Sequence, residues 1–320
     1  MRNPVFDMMK GLAILLVLVG HLALPNDGFL YKFIYSFHMP LFLILAGYYA
    51  KSYEESGLNF GQLIKKDSKR LLLPYILTVI GILLFTAVRA LMKHDCTIFY
   101  ERLFHHAYVS YASIPIWFLV VLFWIRTFFR PIMKIGRWSL PLSILISGSA
   151  LFFAHHFSQL PLCILTAMAA LVFYAIGWYH KKYKFPMWLI IVSIITWPIA
   201  IIYSTLDTYY IQYGIYPLSI FGACGGTYVI YILMRYIQEI NNKINISVIC
   251  NVLNWFGKNS LIIVCFHAFD IYCCWVTMSM GVFGIELSYW PIMCIRDAFV
   301  ILFSWTYVTY LRPYIAKYIS

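Results

Sequence analysis

Apolar runs long enough to cross a bilayer recur from one end of this 320-residue chain to the other. A helix needs about 20 consecutive apolar residues to span the hydrocarbon core. Ten runs qualify, at roughly 8–24, 33–50, 71–92, 114–130, 138–154, 161–179, 187–204, 214–235, 258–280 and 290–311. Each is expected as a helix. The eighth is the least regular, because Gly214, Pro217, Gly222, Gly225 and Gly226 make a poor uninterrupted helix. The predicted fold is therefore all-α, a polytopic membrane bundle of about ten transmembrane helices. With 62% hydrophobic and 11% charged residues, the chain lies far from the soluble average of about half apolar and a quarter charged. Residues 1–320 read as one membrane domain with no separate soluble domain. The first run is long enough to span and lacks a small-residue cleavage site, so it is not expected to be a signal peptide.

The distribution of charge sets the orientation. With the N-terminus inside, 19 of the 24 lysines and arginines fall in cytoplasmic segments. Only Lys32, Arg89, Lys93, Arg102 and Arg296 fall in or near the outer half. An error of one span would scramble this asymmetry, so both termini are placed in the cytoplasm. The formal charge of +12 is explained by topology, and no nucleic-acid partner is expected. Residues 59–70 read as a short amphipathic piece on the inner leaflet, among the membrane lipids. The eight cysteines lie mostly in apolar runs without CxxC spacing and read as small buried hydrophobes. No GxSxG, HExxH, Walker loop or GxGxxG is present. His105-His106 and His155-His156 lack carboxylate or cysteine partners at ligand spacing, so no metal site is expected.

Ionisable groups at membrane depth are costly, which draws attention to Asp7, Lys10 and His21. Eleven positions separate Lys10 from His21, about three helical turns and roughly 16 Å, so both leave one face of the first span. Asp7, three residues before Lys10, is its natural ion-pair partner. His21 reads either as a proton acceptor for a hydroxyl or as a buried histidine satisfied by a carbonyl. Lys10 is placed to meet an anion arriving from the cytoplasm. His38 lies just before Pro40, where a kink gives it either a polar lining role or a capping one. Lys69 and Arg70 are either headgroup anchors or contacts for donor phosphates. Trp117 is either an interfacial aromatic or a platform for a sugar. Lys258, Asn259 and Ser260 open the ninth span, as helix caps or donor contacts, with His267 two turns further in. Arg296 and Asp297 are expected to pair with polar groups of the bundle.

Taken together, Asp7, Lys10 and His21, the Phe37–Phe42 segment Phe-His-Met-Pro-Leu-Phe with Gly47-Tyr48, Arg70 with Pro74-Tyr75, Trp117-Phe118-Leu119, and Gly257–Ser260 with His267 resemble the acyltransferase-3 family. The basic residue, ten intervening residues and a histidine form that family's most specific motif. The Phe37–Phe42 segment is most similar to the fucose 4-O-acetylase-like subgroup of sugar O-acetylases. Many members carry arginine where this chain has Lys10, and lysine lacks the bidentate fork.

The resemblance implies an O-acetyltransferase of the bacterial inner membrane, moving acetyl from cytoplasmic acetyl-CoA to a hydroxyl of an envelope polysaccharide or lipid-linked glycan. It implies His21 as catalytic base with Asp7 and Lys10. Lys10, Lys69, Arg70, Lys258, Asn259 and Ser260 would contact the donor, and His38, Trp117, His267 and Arg296 the acceptor. Some relatives carry an extracytoplasmic esterase-like domain. With none in these 320 residues, the transfer is expected to be completed by this chain itself or with a separate envelope acyltransferase, and a homodimer is the other partner expected. The competing reading is a transporter or flippase, because buried polar groups in a ten-span bundle also line substrate pathways.

Overall fold

The computed structural model describes residues 3–21, 28–97, 99–100, 103, 115–156, 161–244, 246–273 and 289–314. The described secondary structure is helical apart from one isolated bridge between Asp207 and Gln212. It forms the all-α polytopic bundle expected. Each of the ten apolar runs carries a helix or a helix pair. These are α1 (Pro4–Gly20), α2 (Phe29–Tyr35) with α3 (His38–Tyr48), α6 (Leu73–Lys93), α7 (Trp117–Ile132), α8 (Ser139–His156), α9 (Ile164–Tyr183), α10 (Met187–Tyr203), α11 (Tyr216–Ile244), α12 (Ser247–Cys273) and α13 (Tyr289–Thr306). Two short helices, α4 (Tyr53–Ser56) and α5 (Phe60–Asp67), lie between α3 and α6. Among the described residues five helical stretches are long and apolar enough to cross a membrane by length and composition, among them Phe60–Lys93 and Ser247–Cys273.

The surface follows lipid solvation. Leu77, Leu84 and Leu91 recur every seventh residue along α6 and are 59%, 63% and 70% exposed, an outward apolar stripe that water would disfavour. The interior is organised on α9, whose residues from Leu165 to Trp178 are almost all buried against α3, α7 and α8. Phe173 is fully buried, and Phe129 of α7 sits edge-on to Tyr174 and Trp178.

Helix α1 begins with Pro4 at its first turn, and the Asn3 side chain accepts from the Val5 N–H at 3.0 Å. Both are start signals: the proline has no N–H to satisfy, and the cap takes up that of Val5. The helix packs closely along α12. A Cβ on Gly11 would lie 2.0 Å from the Leu253 carbonyl oxygen, and one on Gly257 would lie 1.8 Å from that of Asp7. Ten residues beyond this crossing on both helices, His21 meets His267. Helices α1 and α12 therefore run parallel, and two glycines set their separation.

The structure departs from the sequence expectations in four places. The second span breaks at Ser36–Phe37, before Pro40, and Pro40 sits in the first turn of α3. A first-turn proline removes no intrahelical bond, so it starts this helix instead of kinking it. The eighth span, expected as interrupted, is one helix of 29 residues. Its glycines serve close approach: a Cβ on Gly225 would lie 1.9 Å from the Ser193 carbonyl oxygen of α10. The piece at 59–70 is not separate from the third span. Its capping box, Asn59 with Gln62, opens α5, and a π-turn at Ser68–Leu72 carries the chain on into α6. The Leu73 N–H reaches back to the Ser68 carbonyl across that wider turn, which lets Pro74 follow without a break. The ninth span begins at Ser247, so Lys258, Asn259 and Ser260 lie inside α12 and do not cap it.

Candidate active site

Helices α1 and α7 both line one cavity of about 1210 Å³. Ligand pockets commonly measure about 300–1,000 Å³, so there is room for two reactants. By helical rise, Lys10 and His21 are roughly 16 Å apart on α1, and Trp117 and Arg130 roughly 20 Å apart on α7. The cavity therefore has length and two chemically different ends.

One end is cationic. Lys10, Lys66, Arg70, Arg126, Arg130 and Lys258 line it, with Lys10 and Lys258 level because Gly257 sits against Asp7 and Gly11. The Lys10 ammonium lies 2.6 Å from Oδ1 of Asp7, which is 2% exposed, so the ion pair expected from their spacing is formed. Beside it, Asp67 at the end of α5 accepts from two arginines of α7. Arg126 Nη1 donates to Oδ1 at 2.7 Å and Arg130 Nη2 donates to Oδ2. Two cations share one carboxylate, which leaves a net positive charge. Among the described residues, Arg126 Nε and Arg130 Nη1 are buried without a hydrogen-bond partner. Neither arginine nor Asp67 stands out in the sequence, since their pairing joins positions 59 and 63 residues apart.

Removing Asp67 would strand both guanidiniums in a largely buried site. Breaking such a pair typically costs about 3–5 kcal/mol. Asp67→Ala is therefore expected to lower the melting temperature of the detergent-purified protein clearly in a fluorescence thermal scan. A melting point equal to that of the unmodified chain would contradict this role.

The other end carries imidazoles and phenols. His21 closes α1, its backbone N–H bonded to the carbonyls of Val17 and Leu18, and its half-buried side chain lines the cavity. His38, the first residue of α3, also lines it and is 5% exposed. The Nδ1 of His38 lies 2.8 Å from the Ile34 carbonyl of α2. A carbonyl only accepts, so this nitrogen carries the proton, and Nε2 of a neutral ring is left as an acceptor. Tyr35 packs edge-on to His38 with ring centroids 4.9 Å apart, and stacks on Tyr31 at 3.9 Å. The Tyr31 hydroxyl donates to Asp207 Oδ2 at 3.0 Å. Asp207 belongs to the turn between α10 and α11, outside the spanning helices, and burial pushes its carboxyl above the ordinary carboxylate range. Tyr209 of the same turn meets Trp117 at the start of α7, with centroids 5.3 Å apart.

Behind His21 lies a second polar group, outside the cavity lining. The rings of His21 and His267 are 5.3 Å apart. His267 Nδ1 is 4.0 Å from Asp297 Oδ1, and Arg296 Nε donates to Asp270 Oδ2 at 2.7 Å. The expectation that Arg296 pairs within the bundle is met by Asp270.

The structure thus brings Asp7, Lys10, His21, His38, Arg70, Trp117, Lys258 and Ser260 around one cavity. It does not bring the other four there. His267 is 3% exposed on a face of α12 turned toward α13, and Arg296 is held behind it by Asp270. Lys69 is exposed, and Asn259 is buried with its amide donating to the Trp255 carbonyl at 2.9 Å. Tyr31, Tyr35 and Asp207 were missed by sequence reasoning, although Asp207 follows a spanning run closely enough to have been flagged as an acidic group at the membrane edge. His105 and His106 lie outside the described residues, as do the side chains of His155 and His156. Among the described residues no group of three or more His, Cys, Asp or Glu could hold a metal ion.

Comparison with known proteins gives one result at the family level. No curated protein and no solved structure matches the chain. The profile of the acyltransferase-3 family, described as an acyltransferase domain, matches residues 3–309, nearly the whole length. The chain belongs to the acyltransferase-3 family and is a multi-pass membrane acyltransferase.

Proposed function

We propose that the protein is an O-acetyltransferase of the bacterial inner membrane, taking acetyl from cytoplasmic acetyl-CoA and passing it to a sugar hydroxyl of an envelope glycan. The observation that carries this reading is a single cavity with a cationic end at Lys10, Arg126 and Arg130 and an imidazole end at His21. A donor with several phosphates suits the first end, because guanidinium and ammonium groups bind phosphate oxygens by charge-assisted hydrogen bonds. The excess of basic residues in segments assigned to the cytoplasm supports an inward position for that end.

In the proposed reaction a neutral His21 accepts the proton of the sugar hydroxyl as its oxygen attacks the thioester carbonyl. The C–S bond then breaks, the coenzyme A thiolate leaves, and His21 returns the proton to it. Lys10, held by Asp7, orients the donor. Holding both reactants in one cavity supplies the proximity that a two-substrate transfer needs. His267 and the Asp270, Arg296 and Asp297 group support His21 from behind and do not touch the acceptor.

The test uses the purified full chain, acetyl-CoA labelled in the acetyl group and a panel of methyl glycosides. Label transferred to a glycoside as an alkali-labile ester is expected. Label that stays on the donor with every glycoside would contradict the proposal.

A further inference from the structure

The turn at residues 204–214 has no part in the chemistry above, yet it forms one wall of the cavity. Three acidic residues line that cavity among the described residues: Asp7, Asp67 and Asp207. Cations hold the first two, Lys10 on Asp7 and Arg126 with Arg130 on Asp67. Among the described residues no cation pairs with Asp207. Its Oδ1 accepts the backbone N–H groups of Tyr209 and Tyr210 at 2.9 and 3.1 Å, and its Oδ2 accepts only the Tyr31 hydroxyl. A carboxylate offers about four acceptor positions, so one remains open on Oδ2.

The carboxylate is also fixed in place. Asp207 and Gln212 exchange both backbone hydrogen bonds, at 2.7 and 2.9 Å, which closes the turn around it. At 7% exposure it is buried, and an acceptor position left open there is costly until a donor fills it. Next to it, Tyr209 and Trp117 present aromatic surface. A fixed carboxylate beside aromatic rings suits a molecule with hydroxyls at its edge and C–H groups on its face. The same negative charge disfavours phosphates, which keeps a polyphosphate donor at the opposite end.

We propose that this turn is the acceptor-recognition element, with Asp207 taking a hydrogen bond from a sugar hydroxyl and Tyr209 and Trp117 packing against the sugar ring. Tyr31 positions the carboxylate and links it through Tyr35 to His38. This assignment rests on the acetyltransferase reading and adds to it the residues that select the acceptor.

Asp207→Asn separates recognition from structure. The asparagine oxygen still accepts from Tyr209 and Tyr210, so the turn is kept, while the charge and the Oδ2 acceptor are lost and with that acceptor the bond from the Tyr31 hydroxyl. With the purified full chain, labelled acetyl-CoA and the methyl glycoside that the unmodified protein acetylates best, Asp207→Asn is expected to raise the glycoside KM about tenfold or more. The acetyl-CoA KM should stay within about twofold, and Asp207→Ala should raise the glycoside KM at least as much. A glycoside KM unchanged in Asp207→Asn but raised in Asp207→Ala would reduce Asp207 to a turn cap and overturn the assignment. So would a parallel rise of both KM values in Asp207→Asn. An unmodified protein that acetylates no glycoside overturns it from the other side, through the acetyltransferase reading itself.

Discussion

His21→Ala is expected to lower acetyl transfer by about 10²- to 10⁴-fold, the usual contribution of a positioned general base. The loss should fall on kcat, with the KM for acetyl-CoA little changed. The cations that line the other end of the cavity, Lys10, Arg126 and Arg130, remain in place. The imidazole is half-buried at the last turn of α1 and borders open space, so truncation removes little packing. Membrane abundance and melting temperature should therefore match those of the unmodified chain. His267→Ala makes a useful companion. That ring sits behind His21 and does not border the cavity, so its removal should lower the rate less than loss of His21 does. Transfer at the unmodified rate in His21→Ala would remove the base from the mechanism.

Gly257→Ala is expected to impair both stability and transfer. The added Cβ would stand 1.8 Å from the Asp7 carbonyl oxygen and 3.0 Å from the Gly11 nitrogen. Both neighbours are backbone, so no side chain can swing aside and α1 must move away from α12. Overpacking of this kind typically costs about 1–3 kcal/mol, occasionally more. The displaced helix carries Lys10 and His21, and a misplacement near 1 Å can cost about 10² in rate. A clear fall in melting temperature together with roughly a hundredfold loss of transfer is the expected result. Gly148→Ala is the matched control, because nothing lies within 4 Å of a Cβ there. It should be neutral, or more stable by up to about 1 kcal/mol from helix propensity. Equal melting temperatures for the two variants would show that the α1–α12 crossing is not as tight as described.

The helices were legible in the sequence because lipid imposes a length that runs of about 20 apolar residues satisfy visibly. The Lys10–Asp7 pair was legible for a related reason, since i and i+3 on one helix face must meet. The misreadings came where local rules met packing. Gly222, Gly225 and Gly226 read as helix breakers, but α11 needs them to approach α10. Pro40 read as a kink, but Ser36 and Phe37, four and three residues earlier, had already ended α2. The Ser36 hydroxyl accepts from Trp197 Nε1 at 2.9 Å, a contact across 161 residues that no local pattern announces.

The site divides the same way. His21 and His38 could be picked out because histidine is conspicuous inside an apolar run. His267 was conspicuous for the same reason, yet the rotation of α12 turns it behind His21 and away from the cavity. Asp67 with Arg126 and Arg130, and Asp207 with Tyr31, were hidden because each joins distant parts of the chain. In the sequence Arg126 and Arg130 read only as positive-inside residues, a pattern that speaks to membrane orientation and not to their partner.

The proposed arrangement is one cavity holding a coenzyme A donor, with its phosphates at the cationic end and its thioester beside His21. Its most direct test is a structure of the full chain determined with coenzyme A bound. Phosphate oxygens are expected within hydrogen-bonding distance of at least one of Lys10, Arg126 and Arg130, and the thiol sulfur within the cavity on the His21 side. Coenzyme A bound outside this cavity, or bound inside it with the thiol directed away from His21, would contradict the account.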